Sequence, residues 1–439
     1  MTQGTVGLIG FVLLGLLLLL RVPIGTALLM VGAGGLSVLH PHGLTGALDT
    51  AAGGALSAAT LYLLCIVPLF NLLGQLGSVS GMSRDLYDAA RILLGPRRGG
   101  VAMAAIVGCA GFSALTGSSL AATATLGRIA LPDMHRAGYD DSLACGTVAA
   151  GGTLGILVPP SIALAVYAVV TGQAIEPLYV AGLLPALMLT GAFIIVILMT
   201  LNQHPERAPI VSGAITPTES RAALRRVLPV TGIVSFMIVG IVLRWFDAVF
   251  ATGLGALLAL AVCVARGKAQ RRVIVEVLAQ TLRASATSFW LVIGAFAFIP
   301  FLTMTGLPGQ LSQWVLVNGY APVGVLLVCV LLLILLSMVI DGLSILVLFL
   351  PMVLPTLIAL DVDLIWFGIA TAITLEMGLI APPFGINLFV VQGLAPRLDM
   401  AGLYRGVRGF WLAMLVCLLA LLAFPQIVIW LPGLMLPPH

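Results

Sequence analysis

GILVPPSI at 155 to 162 and GLIAPPFGIN at 378 to 387 are near copies of one phrase, and in each an apolar segment is interrupted by a double proline. Proline brings no N–H and clashes with the preceding turn, so each segment reads as a membrane helix broken at mid-depth. The second pair follows the first by 382 − 159 = 223 residues, about half of the 439-residue chain. The sequence therefore reads as two related halves, each with one broken helix, which is the arrangement of a membrane transporter core.

Composition agrees. With 61% hydrophobic and 8% charged residues and a mean hydropathy of +1.18, the chain has too little charge to clothe a soluble globule. The formal charge of +4 comes from arginines in loops, and no basic run is interleaved with aromatics, which sets nucleic acid aside as a partner. The six cysteines lie in apolar stretches without CxxC or Cys/His spacing and read as small core residues. Residues 4 to 20 have the length of a signal-peptide core but no preceding positive charge and no A-x-A site, so a retained first span is expected.

Apolar segments long enough to cross a bilayer fall at 4–20, 23–39, 58–79, 141–172, 176–201, 227–243, 248–265, 285–306, 364–394 and 409–431. Two more, 99–131 and 322–358, are interrupted at their centres by TGSS (116 to 119) and DGLS (341 to 344) and read as re-entrant hairpins. Segments 44–57 and 268–283 are amphipathic and are placed along the interface. With the N-terminus outside and ten crossings, every Lys and Arg except Arg244 falls on the cytoplasmic side, as the positive-inside rule requires. Five crossings per half make the repeat inverted. At the 223 offset Leu131-Pro132 matches Leu354-Pro355, Asp140 matches Asp363 and Gly155 matches Gly378 without a gap. The expected fold is an all-α polytopic membrane protein: a first repeat at 1–201, a cytoplasmic linker at 202–226 and a second repeat at 227–439.

Four breaks converging at mid-depth imply a site, because irregular backbone persists in a membrane only where protein or a polar cavity surrounds it. Half-helix N-termini offer N–H groups to an anion, and C-termini offer carbonyls to a cation. Ser113, Thr116, Ser118 and Ser119 add hydroxyls at the first tip, and Asp341 and Ser344 add a carboxylate and a hydroxyl at the second. Such oxygen donors suit a small hard cation such as sodium. Close packing of hairpins by small residues is the competing reading. Asp341 and Glu376 lie deep in apolar segments, where an ionisable group is costly. Asp341 reads as ion-linked or as a helix cap, Glu376 as functional or as a satisfied helix end, and Asn387 as a ligand amide or a packing hydrogen bond. The five histidines have no metal spacing, GAGG (32 to 35) and AAGG (149 to 152) are packing glycines, and no GxSxG frame surrounds the serines, so enzyme chemistry lacks its parts.

FSALTGSSLAATATLGRIALPDMHRAGYD (112 to 140), TVAAGGTLGILVPPSIALAVYAVVTG (147 to 172), IDGLSILVLFLPMVLP (340 to 355) and EMGLIAPPFGINLFVVQGLAP (376 to 396) closely resemble, in order, motifs of the large membrane subunit of tripartite ATP-independent periplasmic (TRAP) transporters. The resemblance implies a bacterial inner-membrane secondary importer of organic anions, often carboxylates, driven by sodium and working by an elevator motion. It implies a periplasmic binding protein and a small subunit of about four spans as partners, and no cofactor beyond the coupling ions. Carried onto this sequence, Ser113, Thr116, Gly117 and Ser118 with Gly155 and Pro159 form one sodium site. Asp341, Ser344, Gly378 and Pro382 form the other, and substrate lies between the tips with Ser119, Ser161, Gly385 and Asn387 as candidate contacts. Two positions depart: Thr123 stands where many relatives have an acidic residue or alanine, and Ala381 where the family has a threonine, which removes a hydroxyl from the second site. No extra spans precede the first, so a separate small subunit is expected. The other readings are a binding-protein-independent anion symporter or antiporter and a non-transporting scaffold subunit.

Overall fold

The computed structural model describes residues 2–209, 217–396 and 398–434. The middle of the 202–226 linker, Arg397 and His439 lie outside the described residues. All regular structure among the described residues is helical. The first half runs α1 (Gln3–Leu19), α2 (Ile24–Leu39), α3 (Gly43–Ala59), α4 (Ile66–Ser80), α5 (Met82–Leu94), α6 (Gly100–Thr116), α7 (Ser119–Arg136), α8 (Asp141–Gly152), the single turn α9 (Leu154–Leu157), α10 (Ile162–Thr171) and α11 (Ile175–Gln203). The second runs α12 (Pro217–Val242), α13 (Ala248–Ala265), α14 (Arg271–Thr305), α15 (Leu307–Val317), α16 (Pro322–Ser337), α17 (Gly342–Ala359), α18 (Leu364–Leu379), α19 (Ile386–Leu394), α20 (Met400–Ala423) and α21 (Gln426–Gly433).

The element order repeats at the offset read from the prolines: α7 displaced by 382 − 159 = 223 residues has the bounds of α17. Local chemistry repeats with it. Asp140 caps α8 by accepting the Leu143 N–H at 3.0 Å, and its counterpart Asp363 caps α18 by accepting the Trp366 N–H at 2.9 Å. The architecture is thus an all-α polytopic membrane fold built as an inverted repeat, with hairpins α6–α7 and α16–α17 and discontinuous helices α8–α10 and α18–α19. In the packing, α14 lies along α2 and α3, α4 lies along α13, and each hairpin leans on the broken helix that follows it.

Among the described residues, eight helices have the length and composition to cross a membrane. Seven match segments read as crossings, and the eighth is α17, the return arm of the second hairpin. Length alone therefore does not separate a hairpin arm from a span; the turn at 338–341 does. Residues 268–283 and 285–306, read as an interfacial segment and a span, are joined in the single 35-residue α14. No glycine or proline falls between Arg271 and Ile293, so nothing in that stretch interrupts the hydrogen-bond ladder. The last crossing, read at 409–431, starts instead at Met400 behind an Asp399 cap and stops before Pro425, which cannot continue the ladder.

Candidate functional site

Each hairpin tip is built from a left-handed or extended residue followed by a capped half-helix. Gly117 adopts φ +55, and Ser118 then caps α7 by accepting the Ala121 N–H at 3.5 Å. At the equivalent place in the second half Asp341 caps α17: one carboxylate oxygen accepts the Ser344 N–H at 3.0 Å and the other accepts the Ser344 hydroxyl. At the first break Ser161 caps α10 through the Leu164 N–H at 3.4 Å. The second break has no such cap; the residue before α19 is Gly385, with φ +49 and no side chain to hydrogen-bond. A tyrosine from the following span braces each break: the Tyr179 hydroxyl donates to the Ser161 carbonyl at 3.0 Å and the Tyr404 hydroxyl to the Pro383 carbonyl at 2.5 Å.

The breaks and tips meet. A Cβ on Gly155 would lie 2.5 Å from the Ser119 nitrogen, and one on Gly117 would lie 3.0 Å from the Pro160 carbonyl oxygen, so the first tip presses its backbone on the first break. A Cβ on Gly378 would lie 2.5 Å from the Ser337 Cβ, which brings the end of α16 onto the end of α18. Across the repeat, a Cβ on Gly342 would touch the Ile156 Cδ1 at 3.9 Å. The Ser119 hydroxyl donates to Glu376 Oε1, joining residues 257 positions apart.

The sequence-predicted residues divide on burial and hydrogen bonding. Ser119, Gly155, Ser161, Ser344, Gly378, Gly385 and Asn387 are buried at this junction, whereas Asp341 and Pro382 are exposed. Ser113 and Thr116 are buried, but their hydroxyls donate to the Cys109 and Phe112 carbonyls of their own helix, at 2.7 and 3.4 Å. Pro159 is buried behind the first break. Asn387 is fully buried with neither amide atom hydrogen-bonded, and Thr123 Oγ1 and Glu376 Oε2 are likewise without partners. The link between Ser119 and Glu376 was not legible in the sequence. The depth of Glu376 in an apolar segment was the available signal. A separate cleft of about 630 Å³ at the base of the first hairpin is lined by charged residues of α5, α7 and α12. There Arg91 pairs with Asp133 at 3.4 Å, and nearby Arg266 pairs with Asp85 at 2.5 Å.

The Asp341 cap can be tested. Asp341→Ala is expected to cost about 1 kcal/mol of local stability and to speed amide hydrogen exchange over the first turn of α17. Asp341→Asn, an equally good cap, should leave exchange near wild type; equal protection in both variants would show that the carboxylate does not hold the turn.

An inverted helical repeat whose two hairpin tips and two helix breaks converge on buried polar groups defines the membrane core of a secondary transporter. The chain belongs to the DctM component family of tripartite ATP-independent periplasmic transporters, whose family model matches residues 11–427. It is 30% identical over 373 residues to the C4-dicarboxylate TRAP transporter large permease protein DctM of Pseudomonas aeruginosa, covering 85% of this chain and 86% of that protein. It is 29% identical over 429 residues to the sialic acid TRAP transporter large permease protein SiaM of Vibrio cholerae, covering 96% and 97%. Among solved structures it resembles the Alcanivorax borkumensis YdaH transporter, with a TM-score of 0.66 and 17% identity over 91% of each chain, a likeness of fold alone. The protein is a multi-pass membrane protein of a transporter family, not of an enzyme family.

Proposed function

We propose that this chain is the large subunit of a sodium-coupled importer that carries a small organic anion, a carboxylate, across the bacterial inner membrane. The observation that carries this reading is the convergence of both tips and both breaks around the link between Ser119 and Glu376. The names of the relatives, C4-dicarboxylate and sialic acid permeases, share carboxylate as the cargo chemistry. At the junction the anion meets half-helix N-termini, the Ser161 hydroxyl and the free Asn387 amide. Sodium meets the carbonyls that the prolines release at the ends of α9 and α18. An elevator motion fits the division of the molecule: hairpins and broken helices carry the site, and α2, α3, α4, α13 and α14 pack on one another as the support.

Coupling requires that substrate bind to the sodium-loaded state with positive coupling, so that half-loaded carriers do not cross. Family membership supports a small membrane subunit and a periplasmic binding protein as partners. The test is radiolabelled organic-acid uptake into proteoliposomes containing this chain, the small subunit and the binding protein, with and without an inward sodium gradient. Uptake is expected only when all three proteins and sodium are present. Sodium-driven uptake by the large chain alone would replace this reading with a binding-protein-independent symporter, and uptake under a pure proton gradient would remove sodium from it.

A further inference from the structure

The two acidic residues at membrane depth have different surroundings. Asp341 is exposed and both of its carboxylate oxygens are taken by Ser344. Glu376 is 1% exposed, accepts one hydrogen bond from the neutral Ser119 hydroxyl, and leaves Oε2 without a partner. Among the described residues no Lys, Arg or His is paired with it. A buried carboxylate is tolerated when a cation compensates it, and here no side chain does so.

The backbone beside Glu376 supplies more oxygen. Glu376 lies in the last turn of α18, the negative end of the helix, where a second negative charge is unfavourable and a cation is favoured. In a continuous helix the Gly378 and Leu379 carbonyls would accept from residues 382 and 383, and both of those are prolines. The Gly378 carbonyl takes the Ala381 N–H instead, at 3.2 Å, and the Leu379 carbonyl loses its donor outright. A carboxylate oxygen and a released carbonyl on one buried turn are the beginnings of a ligand set for a hard cation. The first break has no counterpart: the residue equivalent to Glu376, at 376 − 223 = 153, is Thr153, whose hydroxyl is committed to the Ala150 carbonyl at 2.6 Å.

We propose that Glu376, and not Asp341, supplies the carboxylate that binds sodium at the second break, and that this makes the second ion site the tighter of the two despite the missing hydroxyl at Ala381. Asp341 shapes the hairpin tip and Glu376 carries the charge that the ion neutralises. The inference rests on the sodium-coupled reading, and its test separates the two.

The measurement is the thermal stability of the purified chain titrated with NaCl against choline chloride at constant ionic strength. Wild type is expected to be stabilised by sodium. Glu376→Gln keeps the acceptor for Ser119 and the side-chain size but removes the charge, and its half-saturating sodium concentration should rise at least tenfold. Asp341→Asn keeps the α17 cap, and its half-saturation should move less than threefold. An unchanged sodium titration in Glu376→Gln, or the loss appearing in Asp341→Asn instead, overturns the assignment while leaving sodium coupling in place. A wild type that does not respond to sodium overturns both. If the amide variant does not accumulate, Glu376→Asp takes its place: retaining the charge one methylene short should weaken sodium binding severalfold, and an unchanged half-saturation again overturns the proposal.

Discussion

Gly155→Ala and Gly378→Ala are expected to lower sodium-driven uptake by roughly 5- to 150-fold while the protein still inserts and purifies as a single species. The magnitude follows from overpacking. Forcing extra methyl volume into a filled site costs about 1 to 3 kcal/mol, and each 1.4 kcal/mol is about tenfold in an equilibrium. At Gly155 the added carbon would sit 2.5 Å from the Ser119 nitrogen and 2.6 Å from its Cα. At Gly378 it would sit 2.5 Å from the Ser337 Cβ and 2.6 Å from its carbonyl carbon. The Ser337 hydroxyl, which also meets the added carbon at Gly378, can rotate away only by giving up its bond to the Ile334 carbonyl at 3.0 Å. The tip itself can retreat, because it is the free end of a two-helix hairpin. The cost then falls on tip placement, and with it on the Ser119 contact to Glu376, more than on folding. Uptake within twofold of wild type in both variants would mean that the tips are not held against the breaks during transport.

The reason these positions matter was only partly legible in the sequence. The double prolines at 159 and 382 fixed the breaks, because proline acts on the backbone locally whatever surrounds it. The same locality made the TGSS and DGLS interruptions readable, whereas Asp140 and Asp363 were read only as a matched pair of the repeat and the structure shows both as helix caps. Tertiary facts were not readable in this way. The bond from Ser119 to Glu376 spans 257 positions and depends on how two half-helices approach. The continuity of α14 was hidden because amphipathic residues 268–283 and apolar residues 285–306 look like two environments, although one unbroken ladder runs through both. α5 and α15 were missed for opposite reasons. α5 carries enough charge to pass for a loop, with Arg84, Asp85, Asp88 and Arg91 in thirteen residues. α15 is short and follows directly on Gly306, where the chain turns at φ +68.

The largest effect on stability is expected at Gly294, where α14 crosses α2. A Cβ there would lie 2.2 Å from the Gly25 carbonyl oxygen and 2.8 Å from its carbonyl carbon, and the contact is reciprocal: a Cβ on Gly25 would lie 2.5 Å from the Trp290 carbonyl oxygen. One further contact farther along α2 repeats the pattern, with Gly32 set against the Ala297 carbonyl oxygen at 2.7 Å. Small residues on both faces let the two backbones approach, which is how membrane helices gain packing when no hydrophobic drive remains between them. The Trp290 indole donates to the Thr26 hydroxyl at 2.9 Å and pins the register of the crossing. Unlike a hairpin tip, this contact is trapped in the middle of two long helices, so neither backbone can step aside without separating the pair. Gly294→Val should therefore cost the full ~1 to 3 kcal/mol of overpacking and, in a chain of this length, lower the apparent melting temperature by about 1 to 3 °C. Gly191→Val on α11 is the matched control, because no atom outside its own helix lies within 4 Å of its added carbon. A melting temperature for Gly294→Val indistinguishable from that control's would show that α2 and α14 do not support the fold by close contact. A large loss at Gly294 beside a small one at Gly155 would mean that the same substitution chemistry strikes folding in the support and transport at the site, as expected of a rigid frame carrying a mobile core.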